Sequence, residues 1–228
     1  MLNSRILLVA GILLASPVFA QTTTPPVDAA AAAAEADYTR TITQRADDIV
    51  AKLDLTDAAQ KTRMRDIIAN QYRALRDLNN ARDADVKAAA TPEAGNIVKN
   101  DAKLKVEFRH KEFLGQLGAE ISPNDVDKVK DGLTYGVVPL TYGVYMEMLP
   151  NITQEQKTQI KAWLLEAREY AMDGGTSNEK HGWFGKYKGR INNYLGKAGI
   201  DMKQAEKDMM ARKKAQPTAA KTEALIKQ

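Results

Sequence analysis

The sequence predicts an all-α protein. Apolar residues recur at three- and four-residue spacing in several segments, helix-starting residues precede those segments, and no stretch alternates apolar and polar residues as a half-buried strand does. The chain has 228 residues, 44% hydrophobic and 27% charged, which is ordinary globular composition and excludes disorder of the whole. The expected architecture is a single-domain bundle of about six or seven helices with one long antiparallel helical hairpin and a Gly/Tyr-rich loop.

Met1 to Ala20 reads as an export signal, with Arg5 ahead of the apolar run Ile6–Leu14 and small or medium residues at Val18 and Ala20. The run is too short to span a bilayer. Cleavage is expected after Ala20, giving a periplasmic or secreted protein. No later segment reaches the roughly 18 consecutive apolar residues of a transmembrane helix, so no membrane span is expected in the mature chain. There is no Cys, which excludes disulfides, zinc–cysteine sites and cysteine nucleophiles, and leaves a lipoprotein anchor without its thiol. Residues 21–36, rich in Thr, Pro and Ala, read as a flexible linker, with helix favoured toward the alanine end. The helical domain is expected over 37–210, and 211–228 reads as a basic, disordered tail.

Within the domain, Met64, Ile67, Ile68, Tyr72, Leu75 and Leu78 follow amphipathic spacing, with Thr56 as N-cap and helix to about Ala90. Thr91-Pro92 starts the next helix, with an apolar face through Leu104, Phe108, Phe113, Leu114 and Leu117. The short connection makes the two an antiparallel pair. Ser122-Pro123-Asn124-Asp125 is a cap, with Ile121 placed to staple onto Val126. Thr153-Gln154-Glu155-Gln156 is a capping box before Ile160, Trp163, Leu164, Ala167 and Tyr170. Asp173-Gly174-Gly175 stops that helix. Phe184, Tyr187, Ile191 and Tyr194 form another stripe, and Asp201 caps a last helix to about Lys213. The starts near Leu55, Ile121 and Ile152 look alike, as a decayed repeat or as capping chemistry alone.

Two regions depart from plain helix. Residues 132–148 carry Gly132, Gly136, Pro139 and Gly143 among Tyr135, Tyr142 and Tyr145, and read as a loop ending in a short helix. Gly182, Gly185 and Gly189 sit inside a helical stripe. Each costs roughly 1 kcal/mol against alanine, so either a neighbouring helix packs closely there or a ligand lies on the backbone. Trp183, Lys186, Arg190 and Asn193 share another face of that helix. An indole beside a cation, a guanidinium and an amide has the parts of a sugar site: the ring stacks on the C–H face of a pyranose, and the polar groups donate to hydroxyls or a uronate carboxylate. A half-wet structural tryptophan is the other reading. His181, Asp173, Tyr135 and Tyr142 are the secondary candidates.

Enzyme motifs are absent: there is no Gly-x-Ser-x-Gly, no His-Glu-x-x-His and no phosphate-binding loop. With only His110 and His181, a multi-histidine metal site is not expected, and no cofactor is implied. His110 reads as one member of a solvated Arg109-His110-Lys111 cluster. A glycosidase would draw on Asp173, Glu166, Glu169 or Glu147, and a uronate lyase on His181, Tyr187, Lys186 and Arg190. Loss of Arg5 takes one unit from the formal charge of +4, too little basicity to argue for nucleic acid.

The strings DGLTYGVVPLTY (131–142), MLPNITQEQK (148–157), AREYAMDGGTSNEKH (167–181) and WFGKYKGRINNYL (183–195) resemble the secreted helical family of Bacteroidetes-type bacteria catalogued as domain of unknown function 3826. The resemblance runs from about Tyr38 to Asp208. It implies export, sugar binding and a place in polysaccharide use, and it transfers no catalytic residue. The starts LDLTDAAQ and NITQEQ also resemble those of periplasmic helical chaperones of the Spy/CpxP kind. The reading carried forward is a non-catalytic binder of an oligosaccharide, acidic in character, with a lyase-like enzyme and a chaperone as alternatives.

Overall fold

The structure, a computed structural model, describes residues 29–215. The expected signal 1–20, linker residues 21–28 and the tail beyond Ala215 lie outside the described residues. The described residues form eight helices and no strand: α1 (Ala29–Val50), α2 (Ala58–Ala88), α3 (Pro92–Glu120), α4 (Pro123–Leu133), α5 (Val137–Met148), α6 (Gln154–Met172), α7 (Ser177–Lys197) and α8 (Met202–Ala215). The fold is all-α, as the periodicity requires. Residues 29–37 are exposed, alanine-rich helix, and a separate compact unit begins at Tyr38.

Capping chemistry sets most helix starts. Thr91, Ser122 and Thr153 each accept a backbone N–H with the side-chain oxygen, and Thr153 forms the reciprocal box with Gln156. Asp57, rather than Thr56, caps α2, accepting from the N–H groups of Ala59 and Gln60; a carboxylate at the positive helix end is the better acceptor. Asp201 caps α8 through the N–H groups of Lys203 and Gln204, and that helix continues to Ala215.

The expected 132–148 loop is instead a tight turn followed by a full helix, α5, and this accounts for one of the extra elements. At the end of α4 the N–H of Gly136 reaches the Asp131 carbonyl at 2.7 Å and that of Tyr135 reaches Gly132 at 3.3 Å. That is a Schellman stop with Tyr135, at φ 60°, in the left-handed position usually given to glycine. Pro139 then falls in the first turn of α5, where a missing N–H costs nothing.

Two apolar clusters carry the packing. The first joins Ile42, Ala46 and Ile49 of α1, Met64 and Ile68 of α2, Phe113 and Leu117 of α3, Val129 and Leu133 of α4, and Met172. The second joins Val138 and Tyr145 of α5, Ile160, Leu164, Ala167 and Ala171 of α6, and Phe184, Tyr187, Ile191 and Leu195 of α7. Polar contacts bind one cluster to the other. Arg168, 4% exposed, reaches from α6 to Asp127 and, at 2.7 Å, to Asp131 of α4. Lys180, 5% exposed, donates to the carbonyls of Leu133 at 3.0 Å and Met172 at 3.4 Å, closing the C-terminal ends of α4 and α6 together.

The α2–α3 pair is a hairpin, as expected, but its outer half is not core. Leu104 and Phe108 are 64% and 72% exposed, so the apolar face of α3 is buried only from Phe113 onward. The interior glycines of α7 also differ from close packing: a Cβ at Gly182, Gly185 or Gly189 meets nothing within 4 Å. Gly132 is the position that does need its missing side chain, since a Cβ there would lie 2.6 Å from Ile49 Cγ1.

Two substitutions should therefore act in opposite directions. Gly132→Ala should destabilise by about 1–2 kcal/mol, because overpacking against a buried β-branched side chain outweighs the helix gain. Gly189→Ala should stabilise by about 0.5–1 kcal/mol. Urea unfolding of the two variants beside the parent checks both signs.

Candidate functional site

Between the α2–α3 hairpin and the α6–α7 pair lies a groove of about 1020 Å³. One wall is Leu78, Asn79 and Arg82 of α2 with Lys99, Lys103, Val106 and His110 of α3. The other is Glu166, Glu169, Tyr170 and Asp173 of α6 with Glu179, Trp183, Lys186 and Tyr187 of α7. Thr176 starts α7 with a capping box to Glu179, whose carboxylate also accepts from Gly175 N–H and reaches Arg82 at 3.3 Å. The groove's corner is thus fixed by a helix start.

Aromatic rings form a row along the α6–α7 wall. Trp183 stacks on Tyr170 with centroids 4.7 Å apart and planes at 20°, and Tyr170 in turn lies 6.4 Å from Tyr187. Tyr170 is 46% exposed. Lys186 Nζ sits 5.0 Å over the Trp183 ring, a cation–π pair. Burial, and then the neighbouring Glu166, push the Tyr187 phenol up to about 12, so it stays a hydroxyl donor at any ordinary pH.

The groove floor is ionic. His110 Nδ1 lies 2.9 Å from Asp173 Oδ2, and Nε2 lies 3.8 Å from Glu169 Oε2. Lys130 donates to the same Glu169 oxygen at 2.8 Å. The hydrogen bond to Asp173 raises the His110 pKa above its ordinary 6.5, against the opposing effect of burial. The shift favours the imidazolium form, in which Nδ1 donates to Asp173. His110 is held inside the groove, not free in solvent as the Arg109-His110-Lys111 run suggests, and Arg109 likewise turns inward to Gln71 at 2.8 Å. The other carboxylate oxygen of Asp173 is buried with no hydrogen-bond partner among the described residues.

Charge along the groove is uneven in its pairing. Lys103 reaches Glu107 at 3.5 Å, and Arg82 pairs with Glu179 and Asp83. Lys99, Lys111 and Lys186 line the groove with no carboxylate partner among the described residues.

The structure divides the residues singled out from sequence. Trp183, Lys186 and Asp173 come together in the groove. Arg190 shares their helix face but stacks over Trp163 at 4.5 Å and approaches Glu166 at 3.5 Å; Asn193 is exposed beyond the groove's end at Tyr187. His181 stacks on Tyr135, 5.5 Å between centroids, outside the groove lining. Tyr142 lies under Lys161, 6.0 Å away. The lyase set is split accordingly: Lys186 and Tyr187 are in the groove, His181 and Arg190 are not. Sequence reasoning missed Tyr170 as a groove ring, His110 as its floor, and the lysines of α3. The Thr176-x-x-Glu179 box was a readable signal for the corner, whereas nothing local pairs His110 with Asp173, 63 residues on.

Two titrations should show in stability. His110 has a folded pKa above its unfolded one, so its contribution is full below about pH 6.5 and is lost as pH rises through the folded value. Burial pushes Lys180 down to about 8 from 10.5. The unfolded chain then holds more protons between those values, and stability should rise with pH across that window, by up to about 3 kcal/mol. Urea midpoints measured from pH 5.5 to 10 should show the fall first and the rise second. His110→Asn should flatten the first limb and Lys180→Met the second.

The chain matches the model of the family described as Protein of unknown function (DUF3826) over residues 39–215. It belongs to that family. No curated protein matches the chain. No helix among the described residues is long and apolar enough to cross a membrane.

Proposed function

We propose that this member of the family is an exported, non-catalytic binder of acidic oligosaccharides acting in polysaccharide use, and that the groove between the hairpin and α6–α7 is its binding site. The observation that carries the reading is the pairing of an aromatic row with lysines that have no carboxylate partner. Half-exposed Tyr170, with Trp183 stacked on it, offers an aromatic platform to the C–H face of a sugar ring, and buried Tyr187 braces it from behind. Across from them Lys99 and Lys111, with Lys186 beside Trp183, offer unneutralised ammonium groups at a spacing set by two different helices. A neutral glycan would use the rings alone. A uronate-containing one would use both, and each carboxylate would gain a charge-assisted hydrogen bond. The volume of the groove falls at the upper end of small-molecule sites, which suits several sugar units.

His110 belongs to this reading as a positioning residue. Through its contacts with Asp173 and Glu169 it ties α3 to α6 and holds the two walls apart at a fixed distance. With both ring nitrogens directed at carboxylates, it is poorly placed to accept a substrate proton, which weighs against the lyase alternative. Export remains an expectation from residues 1–20 and is part of the proposal.

Titration calorimetry with oligogalacturonates and with neutral oligosaccharides of equal length tests the proposal. Binding of the acidic series only, weakening with added salt, is expected. Trp183→Ala should weaken it by about 1–3 kcal/mol, and Lys99→Ala with Lys111→Ala should reduce the salt dependence. Asn193→Ala, outside the groove, should leave affinity within a factor of two or so. Absence of binding across both series at millimolar ligand would overturn it, and product formation would favour the lyase alternative.

A further inference from the structure

The outer half of the α2–α3 hairpin has two faces. One forms a wall of the groove. The other is apolar and uncovered. Ile97, Leu104 and Phe108 recur on α3 at spacings of seven and four, so they form one stripe, and they are 70%, 64% and 72% exposed. Leu104 and Phe108 lie beside Ala74, Leu78 and Ala81 of α2, and these five form the apolar part of a shallow trough of about 710 Å³ edged by Asp77, Lys105, Arg109 and Glu112. From residue 80 to residue 112, Gly95 is the only buried position among the described residues. Two helices alone cannot bury both sides of a pair, and helices in water depend on packing for most of their stability.

We propose that this face is a self-association surface: two copies of the chain pack hairpin against hairpin about a two-fold axis, forming a four-helix layer. Three features select a second copy. On α3 the large side chains Leu104 and Phe108 stand up, while on α2 Ala74 and Ala81 leave room on either side of Leu78, so a two-fold rotation sets Leu104 and Phe108 of one copy over Ala74 and Ala81 of the other. Its rim is already neutralised within each chain, by Lys105–Asp101 at 2.6 Å and Arg109–Glu112 at 2.9 Å. Such a rim offers no excess charge to an anionic surface or a charged peptide, and it does not repel its own image. The extent also suits: α3 from Pro92 to Glu112 spans about 30 Å, and two helices are about 20 Å wide. That is on the order of 600 Å² in projection, close to the roughly 800 Å² per partner of a stable pair. The inference does not depend on what the groove binds.

The absence of cysteine makes the test clean. Sedimentation equilibrium of the chain from residue 21 onward, the form expected after export, should give twice its monomer mass at micromolar to millimolar concentration. Phe108→Glu should weaken the pair tenfold or more, as should Ile97→Lys at a second point of the stripe. Both sites are exposed, so helical circular dichroism should be retained. A mixture of Leu104→Cys and Ala74→Cys chains, each with a sole thiol, should form a disulfide-linked mixed pair under mild oxidation, and a mixture of Ala74→Cys with Leu140→Cys on exposed α5 should not. A parent chain that stays monomeric throughout would overturn the proposal. So would a pair indifferent to both charge substitutions, or a monomer that uses this face to suppress aggregation of an unfolded protein.

Discussion

Arg168 and Lys180 are the two buried cations on which the arrangement of this bundle depends. Each apolar cluster could pack by itself, and shape alone does not fix how one sits on the other. The buried guanidinium sets α6 against Asp127 and Asp131 of α4, and the buried ammonium draws the last carbonyls of α4 and α6 onto one nitrogen. Buried charges are poor sources of net stability, since desolvation offsets much of the attraction. They are good sources of register, because a misplaced partner leaves a charge unpaired in a dry interior. Lys180 also lies 5.6 Å from the face of the Tyr72 ring, so α2 is held to the same point.

The groove follows from that polar junction. Had the two clusters merged, α3 would lie on α6 along its length and no space would remain. Instead α3 is tied to α6 at His110 and Asp173, and beyond that contact the helices part. The walls then carry side chains that would be out of place in a core: lysines on α3 and stacked rings on α6 and α7. The ionic floor and the open lysines are therefore two consequences of one choice, joining halves largely by charge, with Met172 as the apolar link.

Much of the fold was legible because it is written locally. Thr91-Pro92, Ser122-Pro123 and Thr153-x-x-Gln156 start helices where the sequence puts them, since a cap needs only neighbours within four residues. The 132–148 segment was misread because its glycines and proline look like breakers. In fact left-handed Tyr135 and Gly136 together make one break, and Pro139 sits where helices tolerate it. Leu104 and Phe108 have helical spacing like any core stripe, and periodicity does not say whether a facing layer exists. The site was half legible for a related reason. Spacing on α7 fixed the direction in which Trp183, Lys186, Arg190 and Asn193 point, but not how far along the axis an opposite wall extends. That wall comes from α3, a distant part of the chain, as does the histidine that closes the floor.

The placement of the groove gives occupancy a mechanical meaning. A guest lying in it would rest on α3 from the first half and on α6 and α7 from the second, spanning a boundary that, Met172 apart, polar contacts hold together. Its binding energy is then added to the cohesion of the two halves, and the temperature at which they come apart climbs with the logarithm of guest concentration. The protein would thus be most durable where its guest is plentiful, and would loosen along that boundary first where the guest is scarce.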